Sequence, residues 1–101
     1  MAGFVQIVDY QTSRFDEVKQ LGDDYREQAK ARGGGPDRVT VTKSRDRDNT
    51  YLTIAEFSSY EAAMANSNHP STQELSEAMG KLCDGPPTFY NLDVEDSWTN
   101  S

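Results

Sequence analysis

The sequence is short of several things at once. In 101 residues it has one cysteine, one histidine and one tryptophan, 10 basic side chains against 17 acidic ones, and 17 residues of Leu, Ile, Val and Phe together. A lone Cys83 closes no intrachain disulfide, so a reducing cytoplasm is the expected setting. A lone His69 cannot build a multi-histidine centre, and neither zinc nor any other metal is expected. The net charge of -7 argues against nucleic acid, whose affinity depends on counterion release by Lys and Arg, and against anionic membrane surfaces. No run of about 18 apolar residues is present to span a bilayer. The first residues also lack the basic start and apolar middle of a secretory leader. The length allows one domain at most.

Few strong apolar residues with high charge is the composition of disordered chains, yet the residues present fall on ordered faces. Phe4-Val5-Gln6-Ile7-Val8-Asp9-Tyr10 is apolar on both alternating phases, as in a strand covered on two sides. Phe15, Val18, Leu21, Tyr25 and Ala29 then recur at helical spacing from about 14 to 31, with Ser13 placed to cap the helix. Gly33-Gly34-Gly35-Pro36 ends it. This run follows a helix and lacks a Gly-Lys-Ser/Thr sequence, so it reads as a connector and not as a phosphate loop. Val39 to Thr42 alternates as a strand. Arg45 to Asn49 is a solvated turn, and Tyr51 to Phe57 is again apolar on both phases. A second helix carries Tyr60, Ala63, Met64 and Ser67 inward, with Ser58 and Glu61 at capping-box spacing. Asn68-His69-Pro70 breaks it. Ser71 and Glu74 repeat the capping spacing, and Leu75, Ala78, Met79 and Leu82 carry a new stripe. Phe89 to Val94 alternates as the last strand.

The order strand, helix, strand, strand, broken helix, strand predicts an α+β, ferredoxin-like βαββαβ domain over residues 1–95, followed by a polar tail over 96–101. Its antiparallel four-stranded sheet places the first and third strands at the centre, with the helices on one face. Those helices leave the other face of the central strands bare, and a second copy of the chain is the expected cover.

The Phe4 to Tyr10 strand, the passage Tyr51-Leu52-Thr53-Ile54-Ala55-Glu56-Phe57-Ser58-Ser59-Tyr60-Glu61-Ala62-Ala63, the interrupted Asn66-Ser67-Asn68-His69-Pro70 segment and the closing strand resemble those of the dimeric α+β barrels. Within that superfamily the chain is similar to the antibiotic biosynthesis monooxygenase-like family. The stretch from Leu82 to Phe89 looks like that of actinobacterial members. The resemblance implies a homodimer joined through its open sheet faces, with an apolar ligand pocket in each subunit. It also implies a range of activities: cofactor-free oxygenation of aromatic polyketides, haem degradation, polyketide cyclisation and lactone isomerisation. Matched onto haem-degrading relatives, the tryptophan position falls at Asn66 and the iron-binding histidine near Ser76, and neither residue suits that role. Phe57 stands where many oxygenases have tryptophan.

The expected function is therefore a cofactor-independent monooxygenase acting on an aromatic or polyketide-like molecule, with a cyclase or isomerase, or a non-catalytic metabolite- or partner-binding barrel, as alternatives. His69 is the candidate base, because imidazole titrates near working pH, and Asn66 the candidate donor to a developing oxyanion. Phe57, Tyr60, Met64, Met79 and Phe89 are the candidate pocket wall. Gln6, Asn91 and Asp93 are polar strand residues that face either the pocket or water. Cys83, beside Asp84, reads as an inert thiol.

Overall fold

The structure is a computed structural model that describes residues 3–100. Residues 1, 2 and 101, the outermost of the expected domain and tail, lie outside the described residues. The elements are β1 (Phe4–Gln11), α1 (Phe15–Ala31), β2 (Arg38–Lys43), β3 (Thr50–Phe57), α2 (Tyr60–Ser67), α3 (Pro70–Leu82) and β4 (Thr88–Asp93). They build one antiparallel sheet in the order β2-β3-β1-β4. This is the ferredoxin-like arrangement, with the two doubly apolar strands at its centre.

All three helices start differently from the pattern expected. Arg14, not Ser13, is the N-cap of α1 and makes no side-chain cap. The hydroxyl of Thr12 accepts from the Arg14 N–H at 3.0 Å instead. Ser59, one residue later than expected, caps α2 by accepting from the Ala62 N–H. His69 caps α3, with Pro70 in its first turn. Spacing alone could not separate these alternatives, because Ser58 and Ser59 are adjacent and an imidazole nitrogen can accept as a hydroxyl does. The end of α1 follows expectation: Gly34 N–H donates to the Ala29 carbonyl at 2.9 Å. Gly33 and Gly35 have φ of 71° and 95°, where any residue with a Cβ is strained.

Residues opposite one another on paired strands share a face, so the register assigns every strand side chain. The face beneath the helices carries Phe4, Gln6, Val8 and Tyr10 of β1, with Phe57, Ala55, Thr53 and Tyr51 opposite them on β3. On the edge strands, Val39, Val41, Phe89, Asn91 and Asp93 point the same way. The other face carries Val5, Ile7, Leu52, Ile54, Tyr90 and Leu92 in contiguous rows. An Arg38–Glu56 pair (3.7 Å) and an Arg47–Asp9 pair (3.0 Å) flank these rows.

The core beneath the helices is divided in two. At one end Phe4, Phe57 and Ala63 are buried, with Ala55 and Met64 against them. At the other end Tyr10, Val18 and Tyr51 are buried, with Val8, Phe15, Met79, Leu82 and Cys83 packed around them. The Phe15 and Tyr51 rings stack at 4.3 Å. Tyr60, expected inward, is 53% exposed and makes a T-shaped pair with Phe4, ring centroids 5.4 Å apart. Trp98 in the tail is 78% exposed. Among the described residues no helix is long and apolar enough to cross a membrane.

Candidate functional site between helices and sheet

Between the two buried clusters, the middle rows of the helix-facing surface hold no buried residue. Val8, Thr53, Gln6 and Ala55 are half-buried, while Val39, Val41, Phe89 and Asn91 at the edges are exposed. This band is also where polar groups concentrate. Gln6 Nε2 donates to Asn91 Oδ1 at 3.0 Å, and the Tyr10 hydroxyl lies 3.4 Å from the Thr53 hydroxyl. Gln6, Asn91 and Asp93 thus belong to the helix side of the sheet, a choice that the alternation of the sequence leaves open. Burial raises the pKa of Tyr10 above its ordinary value despite the Thr53 hydrogen bond, so its phenol stays protonated.

The candidate wall is distributed around this band. Phe57 and Met64 sit in one cluster and Met79 in the other. Tyr60 and Phe89 stand at its margins, each about half exposed. The two candidate polar residues lie in the helix layer, on either side of the break between α2 and α3. Their only hydrogen bond to each other is through the backbone, from the His69 N–H to the Asn66 carbonyl at 3.2 Å.

His69 Nδ1 accepts from the Ser71 N–H at 3.1 Å and lies 2.8 Å from the Ser71 hydroxyl. An acceptor nitrogen carries no proton, so the neutral ring holds its hydrogen on Nε2. At rest His69 is a donor, and it takes up a proton only by releasing the Ser71 amide.

Asn66 Oδ1 accepts from the Tyr25 hydroxyl at 2.7 Å and from Arg32 Nη2 at 3.0 Å. The Tyr25 hydroxyl is 2.9 Å from that of Thr72. Neither Tyr25, read as one residue of an apolar stripe, nor Arg32 is singled out by the sequence. The only signal is an aromatic with a polar tip at a helix position facing the break.

Burial, then Asp84, raises the pKa of the Cys83 thiol, as an inert thiol requires. Among the described residues no three His, Cys, Asp or Glu side chains converge as a metal site. Two surface depressions lie elsewhere: one of about 130 Å³ lined by Asp9, Tyr10, Gln11, Arg47, Gly85, Pro86 and Thr88, and a wider one of about 470 Å³ over Ser13–Glu17. Neither includes the candidate wall, His69 or Asn66.

No family model matches the sequence, and no curated protein does. Solved structures match over nearly the whole chain. SnoaB, a cofactor-independent oxygenase from Streptomyces nogalater, is 21% identical over 98% of this chain and 100% of its own, with a TM-score of 0.76. A "putative antibiotic biosynthesis monooxygenase" from Caulobacter crescentus is 20% identical over 94% and 92%, with a TM-score of 0.75. A conserved protein from Methanosarcina mazei is 10% identical over 94% and 95%, with a TM-score of 0.79. At these identities the likeness is one of fold, and the fold of this chain is the α+β fold of the antibiotic biosynthesis monooxygenase-like structures.

Proposed function

We propose that the chain is a homodimeric, cytoplasmic, cofactor-independent oxygenase that takes a flat aromatic or polyketide-like molecule between its helices and its sheet. The divided core carries this reading. A chain of this size that packs both ends of its helix–sheet interface, yet leaves polar and half-buried residues between them, has kept that band for something other than its own side chains. Its fold likeness to SnoaB supports the reaction type, and the lone thiol supports the compartment.

In the proposed chemistry an acidic C–H of the substrate loses a proton, and the carbanion is oxidised by dioxygen with formation of a C–O bond. The hydroperoxide then loses water, so a CH₂ becomes a carbonyl and the second oxygen atom leaves in water. Asn66 donates its NH₂ to the oxygen on which charge develops. His69 receives the proton as its hold on Ser71 is released. No metal or flavin is called for. The bare sheet face, with Val5, Ile7 and Ile54 on its central strands and Leu92 beside them on the edge strand, supports the dimer.

The test is oxygen uptake with 1,8-dihydroxyanthrone as probe. Uptake accelerated by the wild type and lost in His69→Ala supports the assignment, and unchanged turnover in that variant removes His69 from it. A second reading, a non-catalytic binding barrel, is favoured by the Nδ1 of His69 being occupied and by the two depressions described above lying away from it. Saturable binding of the anthrone without oxygen uptake would select it. Anaerobic conversion would instead select a cyclase or isomerase.

A further inference from the structure

Four side chains from three helices form one hydrogen-bonded cluster around the Asn66 carboxamide, two of them donating to its oxygen and the fourth bonded to Tyr25. Tyr25 comes from the middle of α1, Arg32 from its C-terminal cap, Asn66 from the last turn of α2 and Thr72 from the first turn of α3. Their hydrogen bonds have a fixed direction. Arg32 can only donate, so the group of Asn66 that faces it at 3.0 Å is the oxygen and not the NH₂. The single proton of Tyr25 goes to that same oxygen at 2.7 Å. The Thr72 hydroxyl, 2.9 Å away, must therefore donate to Tyr25. Arg32 also lies 3.4 Å from the Tyr25 oxygen. Both acceptor sites of the Asn66 oxygen are filled, and among the described residues nothing accepts from its NH₂. Thr72 and Asn66 flank the helix break, and the Tyr25 hydroxyl is the only atom bonded to both.

From this we infer that Tyr25 is a positioning residue: it locks the break between α2 and α3 and turns the Asn66 carboxamide so that only its NH₂ is available to a bound molecule. The inference rests on the proposed role of Asn66 and deepens it. An amide free to rotate offers a ligand its oxygen half the time, whereas one clamped by two donors offers N–H groups alone. Such a group is set in advance for an enolate or phenolate oxygen and does not reorganise as charge develops there. The substrate class follows. The molecule presents an acceptor oxygen that gains negative charge at the helix break, such as the carbonyl of an anthrone. A ligand whose edge there carries only donors is refused.

Two measurements separate the clamp from the chemistry. The first is heteronuclear NMR of the Asn66 side-chain amide in the free protein. A restrained NH₂ pair in the wild type that becomes mobile in Tyr25→Phe supports the clamp. An Asn66 amide as mobile in the wild type as those of exposed asparagines overturns it, whatever the protein catalyses. The second uses 1,8-dihydroxyanthrone. Tyr25→Phe should lower kcat by about tenfold to a hundredfold with little change in KM, the signature of a misplaced group. Asn66→Asp, which keeps an oxygen for Arg32 but has no N–H, should fold and lose turnover. Equal kcat in the wild type and Tyr25→Phe overturns the inference. Absence of turnover in the wild type is a failure of the oxygenase reading alone, and the NMR result then decides the clamp by itself.

Discussion

The Thr12 hydroxyl donates to the carbonyl of Leu82, seventy residues away, across 2.6 Å. The same oxygen accepts from the Arg14 N–H at 3.0 Å. One side chain thereby supplies a partner to a free amide at the start of α1 and to a free carbonyl at the end of α3, and ties both to the end of β1. Asp84 N–H adds a backbone bond to the Gln11 carbonyl at 2.8 Å beside it.

Thr12 is 1% exposed, so water cannot replace what it provides. Thr12→Val, equal in shape but without the hydroxyl, should lose about 1–3 kcal/mol in urea unfolding, whereas Thr12→Ser should keep most of the stability. A Thr12→Val protein as stable as the wild type would mean that the junction is held by packing alone.

Alkaline pH should weaken the fold through Tyr10. Its folded pKa is raised above the ordinary value near 10.0, first by burial. The stabilisation from the neutral phenol is complete below that ordinary value and is lost as pH climbs from there through the raised folded value. Thermal melts taken from pH 9 to 11 should show a steeper decline for the wild type than for Tyr10→Phe. Parallel curves would contradict the sign.

The apolar sheet face makes a prediction about assembly. Ile7 and Ile54 are opposite one another at its centre, and Ile7→Glu should yield a monomer in sedimentation equilibrium, with a lowered melting temperature. A wild type that is a stable, monodisperse monomer at micromolar concentration would defeat the dimer before any variant is made.

His69 can be tested apart from chemistry as a cap. His69→Ala should cost about 1 kcal/mol by removing the acceptor for the Ser71 N–H, and His69→Asp should recover it, since aspartate is a good N-cap. If both variants lose anthrone turnover while only the first loses stability, the imidazole has a role beyond the cap.

The topology was legible in the sequence because β1 and β3 are apolar on both phases and β2 and β4 are not, which orders the strands before any contact is known. The helix break was equally legible, since Pro70 constrains the residue before it. What escaped depends on which of several equivalent groups reaches a given atom. Ser58 and Ser59 are interchangeable in the pattern, and only the backbone path out of β3, extended at Ser59, selects Ser59. His69 was visible as a titratable group and not as a cap, because its nitrogen competes with hydroxyls that are commoner in that place. Tyr25 counted as apolar by spacing, yet its hydroxyl organises the one polar cluster shared by all three helices. The side of the sheet taken by Gln6 and Asn91 needed the register, because alternation fixes which residues go together and not which way they point.

The tail holds the sole tryptophan, and it is 78% exposed. In an isolated subunit its emission is that of an indole in water. Whatever comes to cover that indole, a second copy of the chain included, moves that emission toward the blue without any label. The protein thus carries its own optical gauge of association, one that can be followed by dilution and read at a single residue.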